Sequence, residues 1–163
     1  MPEFPFLVRL RLPAPHPSLE WIENRLALAG CTDALVGLGL PGRVALSFER
    51  EAESAGSALE SALGDLQRAL PKAELAEVEP DLAGLSDAAE IVGVTRQNLR
   101  KLMLAHPDTF PLPVHQGTTA IWHLSDLLDW LEEHQSYDVD PTLKAVSWAA
   151  RRLNPSLRAA LSS

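Results

Sequence analysis

The run Thr95-Arg96-Gln97-Asn98-Leu99-Arg100-Lys101 holds the densest set of hydrogen-bonding and cationic side chains in this chain. Arg, Gln and Asn at the start of a helix match the donor and acceptor edges that bases present in the major groove of duplex DNA, while Lys suits a phosphate. Leu99, Leu102 and Met103 recur at helical spacing, so they mark a buried stripe that leaves Arg96, Gln97, Arg100 and Lys101 outward and Asn98 near the edge. The plain alternative is an ordinary solvated helix face. A second polar group, His115-Gln116-Gly117-Thr118-Thr119, follows within twenty residues.

Other chemistries find little support. His16, His106, His115, His123 and His134 lack paired metal-ligand spacing, and no helical His-x-x-x-His pattern occurs. The single Cys31 rules out an internal disulfide and a multi-cysteine metal site, and it reads as a small core residue. Nothing combines nucleophile, base and orienting group, and there is no glycine-rich phosphate loop. We therefore expect no catalytic residues, no metal, no cofactor and no enzyme activity.

The elements that must position the basic run can be read around it. Ser86 precedes Asp87-Ala88-Ala89-Glu90 and offers an N-cap with nearly a capping box, and Ala88, Ala89, Ile91 and Val92 supply a buried side. Gly93 permits the left-handed backbone of a tight turn, Val94 plugs the core and Thr95 caps the next helix, which should run to about Leu104. From Thr109 to His123 a hairpin is predicted. Phe110, Leu112 and Val114 alternate into it, Gln116-Gly117 turns it, and Ala120 to Trp122 returns. Ser125 should cap a last helix, Asp126 to His134, with Leu127, Leu128, Trp130 and Leu131 inward. Trp122 and Trp130 fall on apolar faces and read as core rather than base-stacking platforms.

Helix, turn, helix, hairpin, helix is a winged helix-turn-helix order. The residues Leu85-Ser86-Asp87-Ala88-Ala89, Val94-Thr95, Phe110-Pro111-Leu112-Pro113-Val114, Trp122 and Leu127-Leu128-Trp130-Leu131 resemble the AlpA and excisionase-type members of the MerR-like DNA-binding superfamily over about fifty residues, 85–133. That resemblance implies a recognition helix and a wing against the DNA backbone. Members commonly carry more Arg and Lys in the wing than this tip does.

Upstream, Phe4 to Leu12 alternates like a half-buried strand, and Ser18 can cap a helix through Leu28 that Gly30 stops. Asp33–Leu40 and Arg43–Glu49 are joined by Pro41-Gly42, a hairpin signal. Glu53 to Leu70 carries Leu59, Leu63, Leu66 and Leu70 on one face, and Ala73 to Val78 is a last short strand. The order predicts a ferredoxin-like βαββαβ domain over residues 1–80, serving dimerisation, sensing or partner binding. Glu79, Pro80, Asp81 and Gly84 read as a linker. The winged domain spans 84–135. A C-terminal helical segment, 140–163, carries Lys144, Arg151, Arg152 and Arg158 and should break at Asn154-Pro155.

The fold class expected is thus α+β throughout. A net charge of -8 excludes general attraction to polyanions, so DNA binding has to be local. No apolar run of membrane-spanning length and no leader pattern occurs, which points to a cytoplasmic protein without a membrane partner. The expected activity is that of a DNA-binding regulator or excisionase-like protein, a homodimer on double-stranded DNA. Arg96, Gln97, Asn98 and Arg100 would read bases, and Thr95, Lys101, Gln116, Thr118 and Thr119 would hold the backbone. The alternative is a protein-interaction module, such as an antitoxin-like or adaptor protein, with a protein partner or small effector at the N-terminal domain.

Overall fold

A computed structural model describes residues 1–13, 15 and 17–162; His16 and Ser163 lie outside the described residues. It is a mixed α+β chain with six helices and two antiparallel sheets among those residues. The order is β1 (Glu3–Arg11), α1 (Leu19–Leu28), β2 (Ala34–Leu38), β3 (Arg43–Glu51), α2 (Ala55–Ala69), β4 (Glu74–Glu79), β5 (Leu82–Ala83), α3 (Leu85–Val92), α4 (Arg96–Ala105), β6 (His115–Gln116), β7 (Ala120–His123), α5 (Leu124–Gln135) and α6 (Pro141–Ser162).

The first sheet runs β2-β3-β1-β4 with every neighbouring pair antiparallel. The period-2 pattern of β1 puts Phe4, Phe6, Val8 and Leu10 on one face, where Val44, Leu46, Phe48 and Val78 join them beneath α1 and α2. Ser18 Oγ accepts from Trp21 N at the start of α1, and Ser54 Oγ accepts from Ser57 N at the start of α2. Leu59, Leu63, Leu66 and Leu70 are all buried, as the helical period predicts. Within this half, Arg50 is clamped between Asp33 at 2.7 Å and Asp65 at 2.8 Å, with its side chain 11% exposed.

The second sheet, β5-β7-β6, belongs to a separate buried cluster centred on Leu99, Trp122, Leu124, Leu127, Leu128 and Leu131. Its Trp122 Nε1 donates to the Pro111 carbonyl at 2.9 Å, and Trp130 Nε1 donates to Thr109 Oγ1 at 3.1 Å. Both indoles bury their rings while satisfying their one donor.

Helix α6 ties the clusters together. Val146, Ala149 and Ala150 pack into the first, and Leu143 packs on the second. Arg151 Nη1 reaches Asp126 at 2.7 Å, and Lys144 Nζ reaches Asp129 and Glu132 on α5. Asn154 meets the free edge of β4 as a neighbouring strand would: Val78 N donates to its Oδ1 at 2.8 Å, and its Nδ2 donates to the Val78 carbonyl at 2.9 Å. At Val78 the side chain thus takes the place of a neighbouring strand. The same Nδ2 donates to Asp81 Oδ2, while Asp81 Oδ1 lies 2.7 Å from His123 Nδ1.

Several expectations are corrected. Asn154-Pro155 does not break the last helix; α6 runs 22 residues through Pro155, because the side chains on either side are held against β4 and the first core, which offsets one missing N–H. The span from Glu79 to Gly84 is no plain linker: it contains β5 and the buried Asp81. Ser86 caps nothing. Gly84 is the N-cap of α3, since Ala83 pairs with Trp122 and the chain turns into the helix at once, burying Leu85. Ile91 stays exposed. Ser125 is likewise inside α5; Leu124 N donates to the Asp81 carbonyl at 2.6 Å, and the Ser125 hydroxyl accepts from Arg151. Phe110 to Val114 forms no strand, because Pro111 and Pro113 have no N–H for a ladder. Pairing starts at His115, opposite Ile121, and Gln116 belongs to the strand while Gly117-Thr118-Thr119 makes the turn.

Candidate nucleic-acid interface

Gly93 closes α3 with φ of 88°, a backbone that favours glycine, and its N–H donates to the Ala89 carbonyl at 2.9 Å. Val94 N donates to the same carbonyl, so the chain reverses within three residues. Thr95 then caps α4, its Oγ1 accepting from Asn98 N at 3.0 Å. Leu99 is fully buried and fixes the rotation of α4, with Leu102 and Met103 half-buried beside it. Helical geometry then decides the rest. Arg96 and Arg100 lie one turn apart on the flank toward the β6–β7 hairpin, and Gln97 and Lys101 form the next row around.

A cleft of about 590 Å³ separates α4 from the hairpin. Arg96 and Arg100 line one wall and Gln116, Gly117, Thr118 and Thr119 the other. Of the nine residues singled out in the sequence, the cleft brings together Arg96, Arg100, Gln116, Thr118 and Thr119. Gln97 and Lys101 are exposed on α4 outside it. Two residues are engaged elsewhere: the Thr95 hydroxyl serves as the cap, and Asn98 Nδ2 points to Tyr137 Oη at 3.4 Å.

Charge distinguishes this surface. Arg9, Arg11, Arg50, Arg68, Lys144 and Arg151 each have a carboxylate partner. Among the described residues Arg96, Arg100 and Lys101 have no ion pair, and neither have Arg25, Arg43, Lys72, Arg152 and Arg158, but α4 alone gathers three such cations within six residues. Three unneutralised cations on one ten-residue helix make a local positive field on an acidic protein. The chain matches no protein-family model, no curated protein and no solved structure.

The sequence reading missed the apolar and acidic parts of the cleft. Asp87 and Ser86, from the first turn of α3, line it, as do Met103, Leu104 and Leu112. Leu112 is 86% exposed between its two prolines. The missed signal was in Pro111 and Pro113 themselves: two prolines on either side of a leucine argue for a projecting loop rather than a strand. No group of three or more His, Cys, Asp or Glu side chains is placed to hold a metal among the described residues. No helix is long and apolar enough to cross a membrane.

Proposed function

We propose that the protein is a sequence-specific DNA-binding protein of the transcriptional-regulator or excisionase-like kind, with α3 and α4 as a helix-turn-helix and the β6–β7 hairpin as a short wing. The single observation that carries this reading is the set of unpaired cations on α4, Arg96, Arg100 and Lys101, beside the hydrogen-bonding Gln97. Ten helical residues are about 15 Å long, a length that lies comfortably in a major groove about 12 Å wide. Arg96 and Arg100 would pair with base edges across the groove floor. Lys101 would take a phosphate, and Gln116, Thr118 and Thr119 would donate neutral hydrogen bonds to the backbone from the wing. Asn98 plays a lesser part in this reading than its position in the sequence suggests, since its amide is turned toward Tyr137.

The strand order β2-β3-β1-β4, with two helices on one face, supports reading the first half as a ferredoxin-like split βαβ unit, to which we assign dimerisation or signal input. Two copies would then present two α4 helices to half-sites about one turn of DNA apart.

The test is fluorescence-anisotropy selection from a random duplex library at two salt concentrations, with the intact protein and an Arg96→Ala/Arg100→Ala variant. A motif enriched by the first and lost by the second, with affinity falling steeply as salt rises, supports the reading. Equal behaviour of the two proteins sinks it. A second reading, a protein-interaction module acting through the N-terminal half, is favoured by exposed Leu35 and Leu38 on the edge strand β2 and exposed Leu40 in the turn after it. It predicts partner capture that the α4 substitutions leave unchanged.

A further inference from the structure

At the end of the first sheet where β1 runs out, the four strands and the last turns of α6 line a cavity of about 640 Å³. Small-molecule sites run from about 300 to 1,000 Å³. Arg9 and Arg11 of β1, Arg43 of β3 and Arg158 of α6 all line this one, on a chain whose net charge is -8. Two of the four are already matched, Arg9 by Glu79 and Arg11 by Glu74 at 2.8 Å. Arg43 and Arg158 have no ion pair among the described residues.

Strand register makes that surplus specific. Arg43 is directly opposite Arg11, which puts their Cβ atoms about 5 Å apart, and like charges so placed are unfavourable unless something answers them. Glu74 answers Arg11 from β4, on the side away from β3, so Arg43 is left without a counter-ion. The other acid lining the cavity, Glu77, makes no ion pair. Burial above all, and then the neighbouring Glu79, push its carboxyl up, while Arg9 and Arg158 pull it the other way. Between the charges the surface is low and apolar. Gly37 is opposite Ala45, and a Cβ on Gly37 would meet nothing closer than the Ala45 carbonyl oxygen at 3.7 Å. Leu38 lines the cavity from β2 and Leu161 from α6. No aromatic side chain is among the described residues that line it, so nothing there stacks a flat ring such as a nucleobase.

We propose that this cavity binds a small aliphatic molecule with an anionic oxygen head, a carboxylate or a phosphate monoester. Arg43 receives the head in the fork geometry of a guanidinium, Arg158 adds a second positive charge from the α6 side, and the aliphatic part lies over Gly37, Ala45 and Leu38. Because Arg158 belongs to the helix that joins the two buried clusters, the site deepens the signal-input reading of the first half; its test contains no DNA, so either can fail alone.

That test is isothermal titration calorimetry of the full chain with octyl phosphate, octanoate and inorganic phosphate in a low-salt chloride buffer. Octyl phosphate or octanoate should saturate one site per chain, and the tighter of the two names the head. Inorganic phosphate should bind at least about tenfold more weakly, since burying two CH₂ groups is already worth that much. Arg43→Gln/Arg158→Gln should weaken binding at least about tenfold. Both positions are exposed, and a circular-dichroism melt checks that the variant is folded. Glu77→Gln should tighten binding roughly twofold, a gain that a folding defect cannot imitate. Arg96→Ala/Arg100→Ala should leave the titration unchanged. Absence of saturation by every probe up to about 10 mM overturns the proposal, as does inorganic phosphate binding as tightly as octyl phosphate. Binding that survives Arg43→Gln/Arg158→Gln but is lost in Arg96→Ala/Arg100→Ala overturns it too, since that would place the anion in the α4 cleft.

Discussion

Arg50 and Arg100 are the same side chain in opposite circumstances. Arg50 stands between Asp33 and Asp65, nearly out of solvent, with every direction of its guanidinium occupied. Arg100 projects from α4 over an open cleft with no carboxylate in ion-pair range. In the first half Arg50 holds two elements together; in the second, α4 keeps its three cations out of any ion pair. A buried charge that loses its partner is costly, whereas a solvated one costs nothing to the fold and is available to a ligand.

That contrast can be broken at its strongest point first. Arg50→Met should destabilise the protein by about 3–5 kcal/mol in a urea melt, because it leaves Asp33 and Asp65 facing each other without the cation. It should also change the acid limb. The hydrogen bond from Arg50 holds the Asp33 carboxyl below the ordinary carboxylate range. A lowered folded-state value contributes stability that is present above about pH 4 and lost as pH falls through the folded value. In Arg50→Met that contribution should vanish, so the stability of the variant should fall less between pH 5 and pH 2.

The converse substitution comes next. Arg96→Ala/Arg100→Ala should cost about 3 kcal/mol of specific DNA affinity, roughly a hundredfold, and shift the melt by less than about 0.5 kcal/mol. A large shift in the melt would mean that α4 carries structural weight its exposed face does not display. Asn154→Ala should cost about 1–3 kcal/mol of stability by leaving the Val78 amide and carbonyl unpaired at a half-buried edge. Lys101→Ala should weaken DNA binding almost uniformly across sequences and reduce the salt slope by about 1, read from affinity at four salt concentrations. Smallest of all is Arg68→Ala, which removes an exposed partner of Asp65 and should change stability by less than about 0.5 kcal/mol.

Much of the first half was legible because its signals are local. Alternation in β1, the leucine row of α2, Ser18 as cap and Pro41-Gly42 as turn each follow from a short window of sequence. The misreadings share a different cause. Ser86 and Ser125 have the right chemistry for caps, but the helix starts are set by the pairing of Ala83 with Trp122 and by the Asp81 carbonyl, 43 residues away in sequence from Leu124 N. Pro155 reads as a breaker unless one knows that Asn154 has a strand edge to hold. The basic row of α4 was visible from helical spacing alone. Its separation into Arg96 and Arg100 facing the hairpin and Asn98 facing Tyr137 needed the rotation that Leu99 imposes and the position of a tyrosine beyond α5.

Helix α6 is made by the ribosome after everything it fastens. While the chain is emerging, the sheet has an uncovered β4 edge and the α3–α5 cluster lacks the support of Leu143, so two incomplete bodies with exposed apolar surface coexist until α6 arrives. Both are then finished in one event. The order of synthesis thus places the residues around Asn154 at the step that closes the β4 edge and joins the two clusters.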